Sequence, residues 1–274
     1  MTLGAMPPAN TLRTRSFMMS PAPLIARLPF LRRLIPSLLR RYAKLFKHRY
    51  LVEKRMGLLF LLDQKNAVDR NLLIKGAWEP AQVDMLKQQI KATRTSGRQT
   101  VFLDIGAHGA LYSMMMVREG LADQVIAFEP DPVNLVQLKA NLFINDMLGA
   151  ITLIEKAVSD ESGDIRFFLA DSSARGGSRM TDEGDARIVG ETIVEADRID
   201  DMVPLEDALV VAKIDVEGSE MKVLAGMEAT IANNACLFQI ESFTDNAPAL
   251  KTWMNERGFD HVATVDFDHY FSKS

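Results

Sequence analysis

The stretch from Val101 to Pro130 leaves this chain of 274 residues few folds to choose from. An apolar run, Val101-Phe102-Leu103, leads into Asp104-Ile105-Gly106-Ala107-His108-Gly109, and a helical pattern follows from Ala110 to Gly120. A second apolar run, Val125-Ile126-Ala127-Phe128, ends in Glu129-Pro130-Asp131-Pro132. Strand, glycine turn, helix, strand and acidic tip, in that order, make the first half of a nucleotide-binding βαβ unit. A glycine in the turn removes the Cβ that would hold a ligand away from the backbone. Free amides at the start of the next helix favour an anionic group. Glu129 follows Gly106 by 23 residues, close to where an acid in such a unit accepts hydrogen bonds from ribose hydroxyls.

The same stretch bears on which nucleotide. A dinucleotide fingerprint needs three glycines, so that a pyrophosphate can lie on bare backbone. Here only Gly106 and Gly109 are present, with His108 between them. Asp104, directly before the turn, repels phosphate but suits an ammonium or sulfonium. S-adenosylmethionine carries both, with ribose hydroxyls and no phosphate, so it is favoured over a nicotinamide cofactor. A turn shaped only for packing is the plain alternative.

Downstream, Asp131 is placed to cap a helix that has Pro132 at its first position and runs to about Asn145. Ala150 to Ile154 reads as the third strand, followed by Ala157-Val158-Ser159, whose tip lies beside adenine in this architecture. Ile165–Ala170 and Thr192–Ala196 read as a hairpin. The polar connection Asp171 to Gly190 between them is a substrate lid or an ordinary loop. Leu209 to Ile214 is nearly all apolar, as a strand buried on both faces should be. It delivers Lys213, Asp215 and Glu217 to the carboxyl edge of the sheet, where ligands bind. Lys213 and Asp215 point to one side, either for chemistry or as a structural ion pair. A helix from Met221 to Ala232, a fifth strand from Ala235 ending in Glu241, a helix from Ala247 to Arg257 and a closing hairpin complete the chain. The expected fold class is α/β: a doubly wound, seven-stranded, mostly parallel Rossmann-like sheet with an antiparallel tail and an N-terminal helical extension.

Composition narrows the class further. A hydrophobic share of 47% and a charged share of 25% are ordinary for a soluble globular chain. The single Cys236 excludes an internal disulfide and suggests a reducing, cytoplasmic setting. The four histidines, His48, His108, His261 and His269, have no zinc spacing, and no metal is expected. Residues 1–60 hold twelve lysines and arginines against Glu53 alone, although the chain's net charge is −4. This reads as a basic extension, residues 1–58, then a helical cap, residues 59–98, on an acidic catalytic body, residues 99–274. A helix from Pro36 to Arg49 would be basic and amphipathic, so residues 24–50 suit peripheral contact with an anionic membrane. A helix packed on the domain and a transit peptide are the alternatives. No stacking motif accompanies the charge, so nucleic acid is not an expected partner.

Taken together, Trp78-Glu79-Pro80, Asp104-Ile105-Gly106-Ala107, Leu111-Tyr112-Ser113, Phe128-Glu129-Pro130, Asn141, Ala157-Val158-Ser159 and Lys213-Ile214-Asp215-Val216-Glu217-Gly218 resemble the FkbM family of S-adenosylmethionine-dependent methyltransferases. That family usually shows Asn-Ile-Gly where this chain has His108-Gly109-Ala110. The resemblance implies a class I methyltransferase sheet and O-methylation of a sugar, lipid or natural-product hydroxyl. Glu129 and Pro130 would then hold the ribose. Asp104, Gly106, Ala107 and His108 would hold the amino-acid end, and Ser159 and Asp171 would flank adenine. Asp215 is the first candidate base for the acceptor hydroxyl, with Lys213, Glu217 and Glu241 orienting it and His108 as a rival. A metal on Asp215 and Glu241 is conceivable but not indicated. A nicotinamide-dependent oxidoreductase and a non-catalytic membrane-associated module remain as alternatives.

Overall fold

The computed structural model of this chain describes residues 49–94, 97–171, 173, 177–180, 187–243 and 245–274. All but the last residue of the helix anticipated from Pro36 to Arg49 lies outside them, as does half of the connection considered as a lid. The described chain begins with a hairpin, β1 (Tyr50–Arg55) and β2 (Leu58–Asp63), then two helices, α1 (Ala67–Lys75) and α2 (Pro80–Thr93). The βαβ unit follows as β3 (Thr100–Ile105), α3 (Leu111–Glu119) and β4 (Gln124–Phe128), continued by α4 (Pro132–Ile144) and β5 (Thr152–Ile154). A short strand, β6 (Ala157–Val158), precedes the long hairpin β7 (Gly163–Ala170) and β8 (Ile188–Asp197). Then come α5 (Ile199–Met202), β9 (Leu209–Ile214), α6 (Glu220–Ala225), α7 (Glu228–Asn233) and β10 (Ala235–Glu241). The last elements are α8 (Ala247–Glu256), β11 (Asp260–Val265) and β12 (Asp268–Lys273).

The central sheet has the order β11-β12-β10-β9-β3-β4-β5. β10, β9, β3, β4 and β5 run parallel, and β12 and β11 turn back antiparallel at one edge. This is the anticipated seven-stranded doubly wound sheet. It separates two cores. On one face Phe102, Ala127, Val211 and Leu237 pack with the hairpin and α1 to α4. On the other Leu103, Phe128, Ala212 and Phe238 pack with α5 to α8. β3 and β9 are buried at every position, which is why each reads as an apolar run, Val101–Leu103 and Leu209–Ala212, ending in a charged residue.

Local chemistry sets the boundaries. Asp131 caps α4, its carboxylate accepting the Val133 amide at 2.8 Å, with Pro132 just inside. Gly120 closes α3 in the left-handed conformation.

The structure also corrects the sequence reading. The third strand is shorter than Ala150–Ile154 and begins at Thr152. The stretch Met221–Ala232 is two helices, Glu220–Ala225 and Glu228–Asn233; Gly226, between them, packs so closely that a Cβ there would lie 2.0 Å from the Ser159 carbonyl oxygen. The line drawn between residues 58 and 59 falls inside the β1–β2 hairpin, so the cap of residues 59–98 contains a strand as well as helices. Helix α1, capped by Asn66, had no counterpart in the sequence reading.

Candidate functional site

Five parallel strands end on one side of the sheet, and a cavity of about 350 Å³ opens there. Its floor is the glycine turn. Gly106 adopts φ +84°, and a Cβ on it would stand 1.9 Å from the Asp215 carbonyl oxygen. Glycine is therefore required by the approach of the β9 tip. The Asp215 amide, donating to the Ile105 carbonyl at 3.0 Å, ties the same two tips together. His108 and Ala110 are also left-handed, at φ 48° and 61°. Single residues held this way each cost about 1–3 kcal/mol and persist only where their surroundings fix them. Asn141 is one such constraint: it donates to the Gly109 carbonyl at 2.9 Å and accepts the Leu61 amide at 2.8 Å.

Glu129 closes one end of the cavity. Its Oε2 accepts the His108 amide at 2.7 Å, and its Oε1 accepts the Asp131 amide at 2.9 Å and the Asn134 side-chain amide at 3.3 Å. Burial pushes its carboxyl up to about 7 despite these donors. Two carboxylate oxygens offer about four acceptor positions, so Oε2 retains room for a hydroxyl. Asp104 is turned inward, its Oδ2 taken by the Ser113 amide at 3.0 Å and the Ser113 hydroxyl at 2.6 Å. Burial raises its carboxyl, against the pull of Ser113 and Lys213. His108 is neutral, because burial holds its imidazole below the usual value, and its Nε2 lies 3.4 Å from the Asn66 amide nitrogen.

A polar row crosses the sheet, and two of its four members, Asp104 and Lys213, line the cavity. Asp104, Lys213, Gln239 and Tyr270 stand side by side on β3, β9, β10 and β12. Lys213 Nζ donates to Asp215 Oδ2 at 2.6 Å and lies 5.1 Å from the Tyr112 ring centre. Burial alone would lower its ammonium, but the surrounding carboxyls, Asp215 first, raise it well above the ordinary value. Burial likewise pushes Asp215 up, yet Lys213 and a hydrogen bond with Glu241 outweigh it, and Asp215 stays below the usual carboxylate range. The Asp215 charge, then burial, drive Glu241 up to about 10, so at neutral pH Glu241 carries the proton that the pair shares. Glu217 is raised to about 7 by burial and by Asp215.

The cavity gathers ten of the residues singled out from sequence: Asp104, Gly106, Ala107 and His108 in the turn, Glu129 and Pro130 at the β4 tip, and Lys213, Asp215, Glu217 and Glu241 at the β9 and β10 tips. Two do not join them. The Ser159 hydroxyl turns to Asp160 Oδ1 at 3.0 Å, and Ala157 and Val158 line the cavity in its place. Asp171 turns back on its own loop to accept the Ser173 hydroxyl at 2.6 Å.

Glu79, absent from the sequence candidates, also lines the cavity. It takes φ 45° directly before α2, and its Oε2 accepts the Tyr112 hydroxyl at 2.8 Å. Burial raises its carboxyl, with Lys213 pulling the other way. The signal was present: Pro80 opens α2, which makes Glu79 its cap position, but Trp78-Glu79-Pro80 reads by itself only as a turn.

Residues 104–260 match the family profile described as the methyltransferase FkbM domain. The chain belongs to the FkbM methyltransferase family. Two relatives accord with this. Methyltransferase sdnD of Sordaria araneosa is 23% identical over 189 residues, 58% of this chain and 73% of that protein. Hexuronic acid methyltransferase AglP of Haloferax volcanii is 30% identical over 172 residues, 61% of this chain and 65% of that protein. Among solved structures, ribosomal protein L11 methylase from Lactobacillus delbrueckii subsp. bulgaricus is 13% identical with a TM-score of 0.43, covering 72% of this chain and 80% of its own. TYW2 of M. jannaschii, in complex with AdoMet, is also 13% identical, with a TM-score of 0.39, covering 82% of this chain and 84% of its own.

The nicotinamide-dependent alternative falls with this assignment: an FkbM enzyme is a methyltransferase, and its cofactor is S-adenosylmethionine. The donor set fits that group. A carboxylate with acceptor room lies at the β4 tip, and carboxyls crowd the β9 tip, where a sulfonium and an ammonium would be welcome. Among the described residues no group of three or more His, Cys, Asp or Glu side chains is placed to hold a metal ion, and no helix is long and apolar enough to cross a membrane.

Proposed function

We propose that this FkbM methyltransferase O-methylates a hydroxyl of a sugar or sugar-acid acceptor. The observation that carries the reading is one cavity bearing two kinds of carboxyl: Glu129 at the β4 tip, and the Glu79–Asp215–Glu241 group across from it. S-adenosylmethionine supplies an activated methyl group on a sulfonium. Glu129 accepts a ribose hydroxyl, and the Gly106-Ala107-His108 turn with Asp104 holds the amino-acid end. Ala157 and Val158, rather than Ser159 and Asp171, border adenine.

The acceptor oxygen would take the methyl group as the methyl–sulfonium bond breaks and S-adenosylhomocysteine leaves; its proton would pass to a base, and a base within reach is typically worth about 10²–10⁴ in rate. Asp215 is the weaker candidate for that proton, since Lys213 and Glu241 already hold its charge. Glu79 is better matched, because burial raises its carboxyl and Tyr112 fixes it facing Lys213. The acceptor class rests on the 30% identical hexuronic acid methyltransferase and on the cavity lining, where Phe60 and Trp78 stand with Asn66. Aromatic faces beside hydrogen-bonding groups suit a sugar ring.

The test is calorimetry with S-adenosylhomocysteine, then transfer of a labelled methyl group to glycosides of glucuronic and galacturonic acids. Glu79→Gln should keep its affinity for S-adenosylhomocysteine and lose about 10²–10⁴ in kcat. No binding of S-adenosylhomocysteine would sink the cofactor placement. Binding without transfer to any sugar acid would sink the acceptor. Transfer at the wild-type rate by Glu79→Gln would return the base to Asp215.

A further inference from the structure

Gln239 is a fully buried glutamine in β10, a strand otherwise apolar up to Glu241. Its Nε2 donates twice, to Asp268 Oδ1 at 2.8 Å and to the Tyr112 hydroxyl oxygen at 3.1 Å. Its Oε1 finds no hydrogen-bond partner among the described residues. A buried carbonyl left unpaired costs stability, so the amide keeps this orientation at the expense of its own oxygen. Neither Gln239 nor Asp268 lines the catalytic cavity.

Donor and acceptor rules give the chain of bonds a direction. A carboxylate only accepts, so Asp268 holds the NH₂ end of the amide toward itself. The same nitrogen then faces Tyr112, whose oxygen accepts. The one phenol hydrogen is left for Glu79 Oε2, 2.8 Å away. Inverting the amide would set Oε1 against Asp268 and offer Tyr112 a second acceptor in competition with Glu79. Donation therefore runs from Gln239 to Tyr112 to Glu79, from the buried interior of the sheet to the cavity wall. The receiving end is held by the same closing hairpin. Gln82, in the first turn of α2, donates from its side chain to Asp266 Oδ2 at 3.0 Å, and its carbonyl accepts the Tyr270 hydroxyl at 2.9 Å.

We propose that Gln239 and Asp268 are positioning residues for Glu79: they hold the Tyr112 hydroxyl in the sense that donates to its carboxyl group. That Glu79 is the base rests on the proposed function. A donor to the ionised form opposes the upward push of burial on Glu79. Lys213, from β9, pulls the same way, while Asp215 from β9 and Asp268 from β12 push back. Tyr112 keeps its own proton, because burial and Glu79 raise its phenol well above the ordinary value. The Tyr270 phenol beyond it is raised as well, by burial first.

The test follows the Glu79 carboxyl carbon by NMR as pH is raised from 4 to 9, in the full chain labelled with carbon-13 at glutamate Cδ. Its signal is the one missing from Glu79→Gln. Tyr112→Phe should raise the midpoint by about one pH unit, a tenfold gain in proton affinity. Gln239→Glu puts an acceptor where the amide nitrogen stands, so Tyr112 should turn to it and the midpoint should rise by a similar amount. In Tyr112→Phe/Gln239→Glu no hydroxyl is left to turn, and the midpoint should match that of Tyr112→Phe alone. Gln239→Met adds no buried acid and covers the case in which Gln239→Glu does not fold. It should raise proton affinity by about two- to threefold, since the phenol keeps Glu79 as acceptor but loses the donor that polarises it. With a glucuronic acid glycoside as methyl acceptor, the acidic limb of kcat should move with the NMR midpoint while KM stays within about twofold. An unmoved midpoint in Tyr112→Phe, or in both Gln239 variants, would overturn the proposal. So would additive shifts in the double variant, which would mean that position 239 acts on Glu79 by charge and not through the hydroxyl. Midpoints that move as expected while the acidic limb of kcat does not would support the hydrogen-bond chain and take the role of base from Glu79.

Discussion

Glu129 does two jobs with one carboxylate. It fixes the turn through the His108 amide, and it keeps acceptor room on Oε2. Because burial sets its carboxyl at about 7, a hydroxyl donor that prefers the ionised form must expel a proton on binding at lower pH. Affinity for S-adenosylhomocysteine should therefore fall as pH drops below 7 and level off above it. Glu129→Gln should weaken binding by about 10- to 150-fold at pH 8, the worth of one hydrogen bond to a charged acceptor. It should also flatten the pH dependence, which calorimetry at several pH values would read. Glu217 titrates in the same range. If the pH dependence survives in Glu129→Gln and disappears in Glu217→Gln, the ribose has been assigned to the wrong residue. Glu129 was legible because strand, turn and spacing fix it in one dimension. Ser159 and Asp171 were not, because only the fold decides whether the Ser159 hydroxyl faces the cavity or Asp160, and whether the Asp171 carboxylate faces the cavity or Ser173.

The elements that were plain in the sequence are those whose pattern follows from burial. β3 and β9 are covered on both faces, so Val101–Leu103 and Leu209–Ala212 are apolar up to the charged tip. The β1–β2 hairpin was not plain. Leu58 to Leu62 is apolar on its exposed side as well as its buried side, which erases the alternation that marks a strand. Its place in the structure depends on Asn141, which reaches from α4 to both β2 and the glycine turn. Asn141→Ala should remove two buried hydrogen bonds and leave the Leu61 amide without its partner, costing about 2 kcal/mol. A melting scan should show a fall of roughly 4–8 °C. The Gly109 carbonyl is freed at the same time, so affinity for S-adenosylhomocysteine should fall too. A variant that melts early yet binds normally would mean that the hairpin and the turn are independent units.

Across the whole molecule, the cavity concentrates carboxyls faster than it supplies cations, and protonation makes up the difference. Glu241 titrates at about 10, and Glu129 and Glu217 at about 7. All three lie above the ordinary glutamate value of about 4.3 that the unfolded chain would show. Between those limits the folded protein holds protons that the unfolded chain has released. Stability of the ligand-free protein should therefore be greatest in mild acid and fall as pH rises, by about 1.4 kcal/mol per pH unit for each such proton. Asp215 works the other way. Its folded value is depressed, so its contribution is present above the unfolded value and is lost only in stronger acid. Glu241→Gln separates these effects, because a neutral amide can donate to Asp215 as the protonated carboxyl does and has no proton to lose. Between pH 5 and 9 the variant should hold its melting temperature better than the wild type, with a gap that widens as pH rises. A sulfonium-bearing methyl donor should narrow the gap by favouring ionised carboxyls in the wild type. Parallel melting curves for the two proteins across that range would mean that Glu241 ionises normally and that the shared proton does not exist.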